Sequence, residues 1–301
     1  MTDLRFAVAN CPVSGRHFTT SITGTRRHTR RNHLKFTLSG FDLDWYQLPA
    51  FHDLPFSERV ALDGRFVPTS EVFVRNVTPK QVAEATSVIG DLCYLLRLAT
   101  TSSVVAYESD YEARLHSWTV VAGYNNFRAP IDIHDGRVIE EFIGACWPAY
   151  RRLKRPRRLP RVIDFLVYAD LTAVPVEGKL LLAFTALESL KTTWAKSKGI
   201  PFIAGFYRQV ESNGRATPKS RRIAFEHLVQ GMMSEVKMRA TLSRLVALRN
   251  QLVHTGIAHK DTSWAFHQYG RTVAIAHRYL FRLLGYRGGM ADYATLRRRF
   301  P

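Results

Sequence analysis

The sequence predicts an α+β protein, in which a β-rich N-terminal domain is followed by an all-α helical bundle. Residues 1–78 contain short runs with the alternation of strands, and Gly, Pro, Asp and Ser separate these runs. After residue 161 the apolar residues recur at helical spacing almost to the end of the chain. Between the two parts lies a basic run with two prolines, residues 151–161, which we interpret as an exposed connector. We therefore divide the chain into an N-terminal domain of residues 1–155 and a helical domain of residues 156–301.

The N-terminal domain is predicted to open with strands and then to alternate between helix and strand. Residues 34–38 alternate between apolar and polar side chains, and residues 71–77 are rich in valine and phenylalanine. A helix is predicted to begin at Thr78 and to run toward Leu98, because threonine is a favoured N-cap and Pro79 suits the first helical position. Two further strands and one further helix are predicted at residues 103–107, 117–121 and 137–150.

The C-terminal domain is predicted to contain five helices, which suit an up-and-down bundle with an appended helix. Pro175 and Gly178, and then residues 199–201, separate the first of these helices. The predicted helices cover residues 161–173, 178–197, 218–234, 237–257 and 262–285.

The charge balance predicts a polyanionic partner. The chain has 43 Lys and Arg against 25 Asp and Glu, a net charge of +18, and its 301 residues suffice for two domains. Nucleic acid is the simplest partner, and a basic protein without one is the alternative. Residues 26–31, 151–161 and 297–299 form three basic clusters. The first two supply the RNA-binding candidates, Arg26, Arg27, Arg30, Arg31, Arg151, Arg152, Lys154, Arg155, Arg157 and Arg158.

Several classes of protein are disfavoured by what the sequence lacks. Cys11, Cys93 and Cys146 show no CxxC spacing, and no HExxH or GxxxxGK[ST] motif occurs, so we expect no metal and no cofactor. No apolar run reaches the roughly 18 residues that span a bilayer, and the N-terminus does not resemble a secretion signal. We therefore expect a cytoplasmic protein that does not enter a membrane.

The segment of residues 248–256 predicts acid and base chemistry on a phosphodiester. Asn250 and His254 are i, i+4 neighbours at the edge of the apolar face of one helix, and Arg249 falls within that face. Histidine exchanges protons near neutral pH, and the arginine fork matches phosphate oxygens. Spacing alone is weak evidence, because Arg222 and His227 repeat it without the amide.

An arginine within an apolar face needs an acidic partner, since an unpaired buried charge costs several kcal/mol. Residues 179–190 are apolar on nearly every side and predict a buried helix, in which Glu188 is the one acid. We therefore predict that Glu188 pairs with Arg249. A purely structural bridge, with His254 bonded to a backbone carbonyl, is the alternative to a catalytic site.

Together, Arg249, Asn250 and His254 with Glu188 in the sequence ALESL resemble the HEPN superfamily, whose helical domains contain an Arg-Asn-x-x-x-His motif and an acid on an earlier helix. The similarity is greatest to the ApeA-like group, and it covers roughly residues 161–287. It implies a HEPN-like bundle and metal-independent cleavage of RNA through attack by the ribose 2′-OH. It makes Arg249, Asn250, His254 and Glu188 the catalytic candidates.

The resemblance also implies partners and a biological setting. HEPN enzymes commonly place two motifs together across a dimer, so a homodimer with a composite active site is expected. A role in phage defence or toxin-like growth arrest is implied, with the N-terminal domain sensing or gating and a regulatory protein as a further expected partner. A non-catalytic module that binds nucleic acid or protein is the alternative.

Overall fold

The computed structural model describes residues 1–23, 26–118, 128–258, 261–292 and 297–299. It confirms the predicted fold class, because a seven-stranded antiparallel sheet forms the N-terminal part and helices dominate the rest. The spatial order of the sheet is β2-β3-β4-β5-β1-β6-β7. Its strands are β1 (Thr2–Ala9), β2 (His17–Thr23), β3 (Arg26–Leu38), β4 (Phe41–Gln47), β5 (Pro68–Val77), β6 (Val105–Tyr111) and β7 (Arg114–Ser117).

The sheet follows the alternation in the sequence. Phe6 pairs with Val72 between β1 and β5, and Leu34 pairs with Trp45 between β3 and β4, with all four side chains buried. The strands predicted at residues 34–38 and 71–77 are present within β3 and β5, and the one at 103–107 overlaps β6. The strand predicted at 117–121 meets β7 only at Ser117, because Trp118 is not in a strand, and residues 119–121 lie outside the described part.

Nine α-helices lie within the described part of the chain. They are α1 (Pro49–His52), α2 (Phe56–Val60), α3 (Val82–Thr100), α4 (Gly136–Leu153), α5 (Leu159–Ala169), α6 (Val176–Ser197), α7 (Phe225–Glu235), α8 (Ser243–Thr255) and α9 (Thr262–Leu284). Short antiparallel pairs join β8 (Phe202–Ile203) to β9 (Phe206–Tyr207) and β10 (Met290–Asp292) to β11 (Arg297–Arg299). None of the helices in the described ranges is long and apolar enough to cross a membrane.

The predicted helix starts hold where a capping residue marks them. Thr78 and Gln81 form a capping box around one 3₁₀ turn, after which α3 continues. The Asp135 side chain accepts a hydrogen bond from the Arg137 backbone N–H at 3.0 Å and caps α4. These polar contacts satisfy N–H groups that a helix leaves unpaired at its first turn.

Two predicted helices begin later than expected. The helix predicted from residue 218 begins at Phe225, because Ser220 instead closes a turn, in which its Oγ accepts from the Thr217 N–H at 2.8 Å. The helix predicted from residue 237 begins at Ser243, because Lys237 adopts a left-handed φ of 55° that interrupts helical backbone.

Helix α4 connects the sheet to the helices. It contacts β3 and α3 on one side and α9 on the other, where the Phe142 ring meets Phe281 edge-on with centroids 5.4 Å apart. Buried apolar residues from both parts of the chain form one continuous cluster. The predicted border between residues 155 and 156 falls in the turn that joins α4 to α5.

A fully buried histidine, His277 on α9, gives stability a dependence on pH. Burial lowers its pKa to about 4, although the Asp170 carboxylate and a hydrogen bond with the Val273 backbone act in the opposite direction. The unfolded chain therefore binds more protons than the folded one between pH 4 and the ordinary histidine value of 6.5. Stability rises with pH across this window and is lost as pH falls through it.

We expect acidification from neutral pH to pH 4 to lower the free energy of unfolding by about 3 kcal/mol through His277. Urea unfolding at a series of pH values measures this slope. His277→Gln removes the titrating ring and is expected to flatten the slope, whereas the exposed His227→Ala retains it. Equal slopes in all three proteins would contradict the assignment.

Candidate functional site

The predicted ion pair between Glu188 and Arg249 is present, and it joins α6 to α8. Arg249 Nη2 donates to Glu188 Oε1 at 2.6 Å, and each side chain is 28% exposed. Helix α8 buries Leu245, Leu248 and Leu252 at helical spacing, which turns Arg249 toward α6. Arg249 is thus held at the edge of the core, in contact with solvent.

Sequence reasoning missed two further members of this cluster. Lys191, one turn along α6, is buried and donates to Glu188 Oε2, so one carboxylate neutralises two cations. The Phe225 ring lies 5.2 Å from both the Lys191 Nζ and the Arg249 guanidinium carbon. The i, i+3 spacing of Glu188 and Lys191 on an otherwise apolar helix was the available signal.

Asn250 completes the fixing of Arg249. Its Oδ1 accepts from Arg249 Nη1 at 2.9 Å, and the side chain is exposed. Of the five guanidinium N–H groups, one binds Glu188 and one binds Asn250. The Arg249 Nε–H is buried without a partner among the described residues, so one N–H on each terminal nitrogen is left for a ligand.

His254 lies one helical turn beyond Asn250 and is exposed. Within the described residues it makes no hydrogen bond or ion pair, so the carbonyl contact considered above is not formed. Helix α8 ends at the next residue, Thr255, and is capped by Gly256, which has a φ of 71° and donates a hydrogen bond from its N–H to the Leu252 carbonyl. His254 therefore occupies the last turn of α8 with its ring in solvent.

Glu188, Arg249 and Asn250 line an open cleft of about 1080 Å³ between α6, α7, α8 and the β8–β9 hairpin, the hairpin groove. His254 is not among its lining residues. Cations outnumber acids in this groove, with Lys191, Lys196, Arg222 and Arg249 against Glu188 and Glu226. The balance of charge favours an anionic ligand.

A second cleft of about 830 Å³, the arginine groove, lies on the other side of α6 between α6 and the start of α5. Glu188 and Thr192 line both clefts, so the two meet at this point of α6. Its basic lining residues are Lys154, Arg155, Arg158 and Arg161. It also contains Asp164, which Arg97 Nη1 contacts at 2.7 Å and whose pKa is raised by burial.

The basic run is not the exposed connector that its composition predicted. It ends α4, forms one turn and begins α5, and its side chains have different surroundings. Arg151 and Lys154 both pair with the buried Asp91, at 2.7 and 2.6 Å, while Arg152 is exposed. Arg155 and Arg158 are exposed and line the arginine groove.

The structure does not support Arg157 as an RNA-binding residue, because its side chain is 6% exposed and pairs with Glu235 at 2.9 Å. The segment between α4 and α5 packs against α7, so one of its side chains must point into the protein. A run of like charges does not indicate which side chain this is. Arg157 is thus removed from the RNA-binding candidates.

The N-terminal basic cluster lies on the β2–β3 hairpin and lines neither groove. Arg30 pairs with Asp53 at 2.6 Å, and Arg31 Nη2 approaches Asp135 at 3.4 Å. Arg27 is exposed. The side chain of Arg26 lies outside the described part, as do those of residues 297–299.

Comparison of the sequence with protein-family models and with curated proteins, and of the fold with solved structures, found no match. Across the described ranges, no three His, Cys, Asp or Glu side chains form a group that is able to hold a metal ion.

Proposed function

We propose that this chain is a metal-independent endoribonuclease of the HEPN type. The observation that supports it best is the fixing of Arg249 by Glu188 and Asn250 at the edge of a basic groove, with His254 exposed one turn further along the same helix. Phosphodiester cleavage uses a cation that binds the phosphate and a group that transfers a proton, and Arg249 with its free N–H groups and the solvent-exposed His254 are of these two chemical types.

In the proposed reaction the ribose 2′ oxygen attacks the adjacent phosphorus, and the bond from phosphorus to the 5′ oxygen breaks. A base takes the 2′-OH proton, an acid gives a proton to the leaving 5′ oxygen, and the products are a 2′,3′-cyclic phosphate and a 5′-OH end. His254 serves as one of these two groups. Asn250 orients Arg249, whose remaining terminal N–H groups bind the non-bridging oxygens as negative charge increases on them.

The reaction needs two proton-transfer groups, and one chain contributes one motif. A second copy that places its own His254 across the site would supply the other, so the proposal includes a homodimer with a composite site. Val253 and Ile257 support this arrangement, because these apolar neighbours of His254 are 56% and 55% exposed. A partner copy would cover them.

We place this activity in the cytoplasm, in phage defence or toxin-like growth arrest. The sheet-containing N-terminal part would sense or gate the nuclease, alone or with a regulatory protein partner. This part of the proposal follows from the HEPN resemblance and the α+β organisation of the chain.

One observation favours a second function, an RNA-binding module without catalysis. His254 has no hydrogen-bond partner among the described residues, whereas a catalytic imidazole is usually held in one tautomer by a second group. Such a module would bind RNA with a steep dependence on salt and leave the RNA intact.

We expect purified protein to cut RNA in excess chelator and to leave 2′,3′-cyclic phosphate ends. An RNA with a single 2′-deoxy sugar at the cut site is expected to resist, because the attacking group is missing. Mapping the termini after incubation tests both points. Arg249→Ala is expected to lose cleavage, while Arg244→Ala, an exposed arginine of the same helix outside the hairpin groove, retains it.

RNA that is bound but uncut by the parent protein would favour the binding module. The absence of salt-sensitive RNA binding would reject both functions and favour an acidic protein as the partner. Sedimentation of the active protein tests the composite site, and a strict monomer with full activity would contradict it.

A further inference from the structure

The β8–β9 hairpin presents two solvent-exposed aromatic rings at the hairpin groove. Phe202 is 62% exposed and Phe206 is 42% exposed, and both line this groove. The Phe202 ring rests on Tyr207 with centroids 4.9 Å apart, which fixes its position. An exposed ring held in this way offers a flat surface to a second flat group.

A planar cation lies beside these rings. The Arg222 guanidinium carbon is 3.7 Å from the centroid of Phe206, which is the distance of a stacked pair, and Arg222 is exposed. Nucleic-acid bases stack on both aromatic rings and guanidinium planes. The hairpin therefore provides two stacking positions within the same groove as Arg249.

The arginine groove adds three exposed cations. Arg155, Arg158 and Arg161 are exposed, and none of them forms an ion pair with a described residue, unlike Arg151, Lys154 and Arg157. They line the cleft that meets the hairpin groove at Glu188 and Thr192. A chain of phosphates that follows these arginines thus leads to the ion pair that fixes Arg249.

We infer that single-stranded RNA crosses α6 at Glu188, with bases stacked on Phe202 and on the Arg222–Phe206 pair and with phosphates bound by Arg155, Arg158 and Arg161. The inference rests on the proposed function and adds the form of its substrate. Bases in a duplex stack on one another and offer no free face, so the exposed rings select unpaired RNA.

The test measures binding by fluorescence anisotropy in the His254→Ala background, so that cleavage does not interfere. The probes are a short unstructured RNA and a hairpin of the same composition. Phe202→Ala is expected to weaken binding of the unstructured RNA about tenfold, the loss typical of one stacking contact. Phe202→Tyr keeps a ring and is expected to restore binding, whereas Phe66→Ala, an exposed ring elsewhere, leaves it unchanged.

Salt dependence tests the arginine groove. Replacing Arg155, Arg158 and Arg161 with glutamine is expected to flatten the slope of log affinity against log salt by about 2, since each single-strand phosphate contact contributes about 0.7. The matched control replaces Arg65, Lys80 and Arg114, three exposed cations that line neither groove. Thermal unfolding of each variant checks that the fold is retained.

The inference is overturned if the Phe202→Ala and triple-glutamine variants bind unstructured RNA as the parent does, or if the hairpin RNA binds more tightly. These outcomes can be distinguished from an absence of nuclease activity. A parent that never cuts RNA but shows both groove effects rejects catalysis and supports the binding path. A parent that cuts RNA while neither groove variant has an effect supports catalysis and rejects this path.

Discussion

Replacing His254 with alanine is expected to slow RNA cleavage strongly and to leave the fold intact. The side chain is exposed and makes no contact with a described polar partner, so its removal leaves no cavity and no unpaired group. In the proposed reaction the same imidazole transfers a proton at the reacting oxygen. Loss of a general acid or base typically slows a reaction 10²- to 10⁴-fold, and we expect a loss of about that size.

Single-turnover cleavage rates, measured with saturating protein and trace RNA, separate this effect from weakened binding. His227→Ala is the matched control, because it removes another exposed histidine, from the neighbouring α7, that has no role in the proposed site. Thermal unfolding of both variants is expected to match the parent. A His254→Ala protein that cuts RNA at the parental rate would remove the catalytic assignment.

The ion pair at the centre of the site was predictable because burial restricts charged residues strongly. Arg249 falls on an apolar helix face and needs an acid, and Glu188 is the one acid of an apolar stretch, so few pairings were available. The same reasoning correctly placed β3, β5, α3 and α6, where alternation, capping residues or uniform apolarity leave little choice.

The grooves were not predictable in this way. The hairpin groove combines residues from α6, from α7 and α8, and from the β8–β9 hairpin, and only packing brings these segments together. The basic run at residues 151–161 shows a second limit of sequence reasoning. From its composition, all of its basic side chains were expected to be exposed. The structure separates it into Arg157 inside an ion pair and Arg155 and Arg158 in the open groove.

The apolar face of α8 shows a third limit. At helical spacing Val253 falls on the same broad apolar face as Leu248 and Leu252, yet Val253 is 56% exposed whereas both leucines are buried. The apolar face that helical spacing identifies in α8 is thus wider than the part of it that is buried within the described chain. In the proposed dimer the remainder belongs to a second copy.

Replacing Glu188 with glutamine is expected to destabilise the protein by about 2 kcal/mol and to reduce cleavage. The carboxylate neutralises both Lys191, which is buried, and Arg249. A neutral amide leaves Lys191 as an uncompensated charge beside Tyr207 and Phe225, and it replaces the charge-assisted bond to Arg249 with a weaker neutral one, so the guanidinium is held less firmly. Stability and activity are lost for two separable reasons.

A double-mutant cycle separates them. Lys191→Met added to Glu188→Gln removes the buried unpaired charge and is expected to restore much of the free energy of unfolding, measured in urea. It leaves Arg249 without its carboxylate partner, so the cleavage rate is expected to stay low in the restored protein. Glu226→Gln, which changes another acid of the hairpin groove, is expected to alter neither quantity. If Glu188→Gln alone matched the parent in both stability and rate, the ion pair would have no part in holding Arg249 for catalysis.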